Sequence, residues 1–203
     1  MLAALLRRDL SADVLIALAP DSTYRALAAD DERVGVWRML GRPLIVALVI
    51  GTAVPIMAVQ RVTLGLLAWS TLSFSFAIAI QMAVGAVIIG SSRARRAGVP
   101  RALDLWFAGH VPYSLWLLIV AAWFATRPTA SLDLLIFVAV IPAAWTAVIV
   151  AAFCRHVLGT TRAGARWRAA VHFVVIWAVA FELLALAAGG WFQIGAPIAR
   201  MLQ

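Results

Sequence analysis

The chain has 203 residues, 65% of them hydrophobic and only 13% charged, with a formal net charge of +8 and a mean hydropathy of +0.98. A soluble domain carries about 25% charged residues, and one of this size could not bury so much apolar surface; a soluble globule is excluded and the bilayer becomes the solvent. Every Lys/Arg position is arginine, set in short stretches between apolar runs, a pattern of membrane orientation and not of nucleic-acid binding.

Residues 1–42 are mixed in character. Leu2, Leu5, Leu6, Leu10, Val14 and Leu18 recur at helical spacing, with Arg7, Arg8 and Ser11 on the other side. Two readings fit: an amphipathic helix on the membrane surface, or one packed on the protein's own cytoplasmic face. The Arg7–Arg8 pair resembles a twin-arginine signal. Its apolar part, VLIALA, is too short for a signal core and acids interrupt the wider stretch, so the segment reads as retained. Pro20 is expected to end the first helix, with Asp21 or Ser22 capping the next. A short helix over DDERVGVWRML then puts Trp37, Arg38 and Arg42 in the headgroup layer.

Five apolar segments follow, at about 43–60, 64–90, 104–126, 131–154 and 169–192. Each approaches the ~20 residues that a ~30 Å hydrocarbon core requires. The fold class expected is an all-α integral membrane protein: a five-transmembrane-helix bundle over 43–203, preceded by a cytoplasmic amphipathic helical segment over 1–42. Arginines alternate between the connections. Arg93, Arg95, Arg96 and Arg101 lie between spans two and three, and Arg155, Arg162, Arg166 and Arg168 between spans four and five; the opposite connections hold only Arg61 and Arg127. The N-terminus is therefore assigned to the cytoplasm and the C-terminus to the outside of a bacterial inner membrane.

Prolines fall inside three spans: Pro55, Pro112 and Pro142. Each removes a helix hydrogen bond and predicts a kink. If Pro112 began the third span, fourteen residues to Thr126 would remain, about 21 Å of helix and too short to cross. The span must start upstream near Asp104, with His110 inside it. His110 then reads as a partner for kinked backbone or a neighbouring helix, with a chemical role as the competing reading.

Ser70, Ser73, Ala77 and Gln81 form a small-and-polar stripe of the kind that seats helix against helix. Gly65, Gly85, Gly90, Gly189 and Gly190 allow close helix approach. Glu182 lies past the middle of the fifth span with no charged neighbour in sequence, and a lone carboxylate there costs about 2.5–3.5 kcal/mol. It is expected to face the bundle and bond to the serine stripe; a proton or ion relay competes with that reading. Cys154, the single cysteine, excludes an intramolecular disulfide, and with His156 and His172 it matches no standard zinc ligand set. No metal, cofactor or catalytic constellation is read from the motifs.

Two segments carry a family likeness: Pro20-Asp21-x-x-Tyr24-Arg25-Ala26-Leu27 before the first span, and His110-Val111-Pro112-Tyr113-Ser114 in the third. With five spans and an amphipathic cytoplasmic N-terminus, the chain resembles the bacterial branch of the Yip family (Ypt-interacting-protein-like membrane proteins). The acidic, proline-containing N-terminal motif of eukaryotic members is absent, and GTPase binding is not carried over. The resemblance implies a multi-spanning protein working through protein and lipid contacts without catalysis. Expected partners are membrane lipids and other membrane proteins or a second copy; the alternative is a small ion- or proton-coupled transporter using Glu182, Gln81 and His110.

Overall fold

The computed structural model describes residues 12–30, 34–93, 95, 97–127, 132–176 and 178, with backbone alone for 132–139. Every regular element among them is helical. In chain order these are α1 (12–18), α2 (Pro20–Ala29), α3 (Val36–Val59), α4 (Leu64–Ser73), α5 (Ser75–Gly90), α6 (Val99–Ala108), α7 (Val111–Thr126), α8 (Leu132–His156) and α9 (162–176). Three helices are long and apolar enough to cross a membrane: Val36–Val59, Leu64–Gly90 and Val99–Thr126, with mean hydropathies of 2.0, 2.2 and 1.5. At 24 to 28 residues each exceeds what the hydrocarbon core demands.

The first of these is one continuous helix, α3. It starts at Val36, seven residues before the expected span, so the short helix foreseen ahead of Arg42 merges with it. Pro43 and Pro55 both lie inside α3 and are buried. Each removes one ladder bond, yet the helix runs on through both; Arg42 beside Pro43 is held by tertiary ion pairs.

The second span divides at Phe74, without a proline. The Ser70 hydroxyl donates back to the Leu66 carbonyl at 2.6 Å, and that of Ser75 to Leu72 at 2.7 Å. Such back-bonding competes with the helical ladder and bends it. The same hydroxyl lies 2.6 Å from the Gly51 carbonyl of α3, so its one proton is shared between the two carbonyls. A Cβ on Gly51 would overlap the Thr71 hydroxyl and stand 2.9 Å from its Cβ. Glycine is what lets α3 and α4 pack at this crossing.

In the third span the helix stops at Gly109–His110 and restarts at Val111. Pro112 therefore falls in the first turn of α7, where its missing N–H costs nothing; the kink expected at Pro112 lies just ahead of it. Pro20 likewise opens α2. Ala19 is its N-cap, not Asp21 or Ser22, and no side-chain cap bond is made.

Helix α8, 25 residues, coincides with the expected fourth span and contains Pro142; the Thr146 hydroxyl donates to the Pro142 carbonyl at 2.8 Å. Helix α9 begins at 162, seven residues before the expected fifth span, so Arg162, Arg166 and Arg168 sit on helix and not in a loop. Its first turn is capped by Thr161, which accepts from Gly164 N–H at 3.2 Å. The rest of the expected fifth span, with Glu182, Gly189 and Gly190, lies outside the described residues, as do Arg96 and residues 1–11.

A buried cluster lies toward the arginine-rich end of the described residues. Ile16, Tyr24, Leu105, Trp106, Phe107, Ile149, Phe153 and Leu158 belong to it. Helix α2 packs on α8, and α3 on α4, α6 and α7. Two bonds tie the connections here: Ser92 Oγ donates to the Leu158 carbonyl at 2.7 Å, and Arg168 reaches Ser91 Oγ at 3.5 Å.

Candidate functional site

The break at Gly109–His110 organises the site. Gly109 N–H turns to the Trp106 carbonyl at 3.2 Å and His110 N–H to that of Phe107 at 3.1 Å, in place of the α-helical partners four residues back. The Leu105 carbonyl thereby loses its ladder donor. It is recovered by Tyr24 of α2, whose buried hydroxyl donates to it at 3.1 Å. The His110 imidazole folds back on its own helix, with Nδ1 3.2 Å from the Trp106 carbonyl. A carbonyl only accepts, so Nδ1 carries the proton and Nε2 presents a lone pair.

The ring belongs to a buried aromatic group. His110 and His172 are each 4% exposed, and their rings stand edge-on at 5.9 Å. Trp106 lies 4.8 Å from His172 and 6.0 Å from His110, and meets Phe153 edge-on at 5.5 Å. Its indole is pressed against α5: a Cβ on Gly85 would come within 2.8 Å of Trp106 Nε1. Gln81, one turn along α5 from Gly85, is on the same helix face. His110 Nε2, His172 Nδ1, Trp106 Nε1 and Gln81 Oε1 are all buried with no hydrogen-bond partner among the described residues. Such groups are costly unless satisfied, so the cluster is a polar site in an apolar setting.

Beside it lies an ion cluster that sequence reading missed. Arg42 of α3 grips Asp13 of α1 at 2.7 Å and also pairs with Asp104 of α6. Arg101, 6% exposed, pairs with the other oxygen of Asp104 at 3.2 Å. Two carboxylates and two guanidiniums balance in charge, which is the condition for burying them. Arg42 was expected in the headgroup layer and Arg101 in a basic loop. The available signal was that Asp104, an acid at the head of an apolar run, must find a cation.

Further bonds fasten α1 and α2 to the bundle. Trp145 Nε1 donates to the Ala17 carbonyl at 2.8 Å, and Asp21 pairs with Arg155 and His156, each at 3.1 Å. Ile16 is fully buried while Val14, Leu15 and Leu18 are at least half exposed. In its described part, one face of this segment packs on the protein and the other leaves apolar side chains exposed. Burial pushes the Tyr24 phenol well above its ordinary range, against the opposing attraction of Arg42.

Of the expected stripe, Ser70 is buried against α3, whereas Ser73 and Gln81 are half-buried. Arg93, Arg95, Arg162 and Arg166 are exposed. Cys154 is a buried thiol. No group of three His, Cys, Asp or Glu side chains that could hold a metal occurs among the described residues. Gly85 serves the close approach expected of it, while Gly65 and Gly90 have open space around them. Compared with known proteins, the chain matches no family model, no curated protein and no solved structure.

Proposed function

We propose that this chain is a non-enzymatic five-span protein of the bacterial inner membrane, N-terminus in the cytoplasm, acting as a scaffold or accessory subunit through helix and lipid contacts. The observation that carries the reading is the Asp13–Arg42–Asp104 clamp, which fastens the N-terminal helices to the membrane domain and makes a fixed platform of the arginine-rich end. Outward faces of the spans stay apolar, with Leu44, Ile45, Leu115 and Ile119 all more than half exposed, as contacts with lipid or partner helices require. Mild-detergent purification with identification of bound proteins tests the proposal. A stoichiometric membrane partner or a stable oligomer is expected, and a clean monomer would sink it.

A second reading, a small ion- or proton-coupled transporter, is favoured by the buried His110–His172 pair, whose Nε2 and Nδ1 atoms respectively have no partner among the described residues. Proteoliposome flux of the wild type against His110→Gln and Glu182→Gln decides it. Flux that stays at background in all three removes the transporter.

A further inference from the structure

A groove of about 580 Å³ runs between α8 and α9. Its floor is made of small residues, Ala147 and Ala151 from α8 and Ala170 from α9, with Phe173 and Val174 at its deep end. At the arginine-rich end it continues into a recess of about 310 Å³ walled by Arg155, Arg162 and Arg166; Ala151, Arg155 and Arg166 line both parts. An apolar trough that ends in a basic recess has the form of an amphiphile.

The dimensions match one leaflet. From Ala144, where the lining of α8 begins, to Arg155 is eleven residues, about 16 Å of helix. Half of a ~30 Å hydrocarbon core is ~15 Å. The arginines therefore stand at headgroup level when the alanine trough lies alongside an acyl chain. Asp21 also borders the recess and pairs with Arg155. Arg162 and Arg166 are exposed and have no ion-pair partner among the described residues. The three arginines and Asp21 together leave two positive charges at the recess. Basic pockets between membrane helices select anionic headgroups, and a phosphodiester suits guanidinium geometry.

We infer that the α8–α9 groove is a binding site for one anionic phospholipid of the leaflet at the arginine-rich end, with its phosphate at Arg162 and Arg166 and an acyl chain along Ala147, Ala151 and Ala170. The inference rests on the membrane placement of the chain and not on the scaffold reading, so a monomer without protein partners leaves it standing.

The test is native mass spectrometry of the full chain titrated with phosphatidylglycerol and with phosphatidylcholine of the same acyl chains. At about 1 kcal/mol per arginine, two arginines give a preference of about 30-fold for phosphatidylglycerol. Arg162→Gln with Arg166→Gln abolishes that preference. Ala147→Trp, which fills the trough and leaves the arginines in place, removes retention of both lipids. Thermal melting of each variant identifies any that fails to fold, and the other then carries the decision. Equal retention of the two lipids by the wild type overturns the site. So does unchanged phosphatidylglycerol binding in a folded variant, displacement of the lipid by inorganic phosphate alone, or a polypeptide found bound in the groove.

Discussion

Arg42 shows how much one side chain can hold. It links α1, α3 and α6 through Asp13 and Asp104 while only 9% exposed. Removing one member of a buried pair strands the other and costs about 3–5 kcal/mol. Arg42→Gln is expected to destabilise the protein by that amount in a reversible denaturation assay, and Asp104→Asn by a similar amount. The double variant should lose less than the sum, because the Arg42–Asp104 contact is counted in both single losses but can be lost only once, while Asp13 and Arg101 each lose a partner. Additive losses would refute the pairing. Tyr24 gives a pH signature. Burial disfavours its phenolate in the fold, so the folded pKa is raised and the unfolded chain releases the proton first, near pH 10. The stabilising contribution is complete below that pH and is lost as pH climbs above it, at up to about 1.4 kcal/mol per pH unit. With no lysine in the chain, few other groups titrate there. Tyr24→Phe should flatten the fall in stability between pH 10 and 11.5, and an unchanged slope would show that Tyr24 does not contribute.

At the scale of elements, helix interruptions and close crossings set the architecture. The break in the third span is stabilised from two sides, by the Tyr24 hydroxyl on Leu105 and by His110 on Trp106. The length argument from Pro112 started the span upstream, as the helix over Val99–Thr126 does, but it read Pro112 as a kink inside one helix, whereas Pro112 opens α7 after a break at Gly109–His110. It could not find Tyr24, because a partner 81 residues away leaves no mark on local spacing. The α3–α4 crossing depends on Gly51, where any Cβ meets Thr71. Gly51→Ala is expected to cost about 1–3 kcal/mol by overpacking, whereas Gly65→Ala, with open space around it, should be neutral or slightly stabilising. Comparing melting temperatures of the two in one detergent checks the contrast. Equal effects would mean that α3 and α4 do not cross at Gly51.

For the whole molecule, the prediction concerns sidedness. Cys154 is buried, so a Cys154→Ala background carries single reporters cleanly. Arg93→Cys and Arg162→Cys are expected to react with a membrane-impermeant maleimide from the cytoplasmic side only. Thr63→Cys, beyond the far end of α3, should react from the outside only. Labelling of all three from one side would overturn both the orientation and the antiparallel course of the spans.

Composition alone determined that the chain belongs in a membrane, since no soluble fold of this length hides so much apolar surface from water. Hydropathy runs and arginine-rich connections located the helical segments and the basic end, because segment length and interfacial charge are local properties that the bilayer imposes residue by residue. Which arginines remain at the surface was settled only by tertiary structure: Arg93 is exposed, whereas Arg42 and Arg101 are buried against Asp104. So was the meeting of His110 with His172 and Trp106, and the shaping of an alanine trough between α8 and α9. Within hydrocarbon every backbone polar group must find its partner inside the protein, and where the helical ladder is broken that partner is chosen by how helices cross, a long-range outcome that no local pattern records.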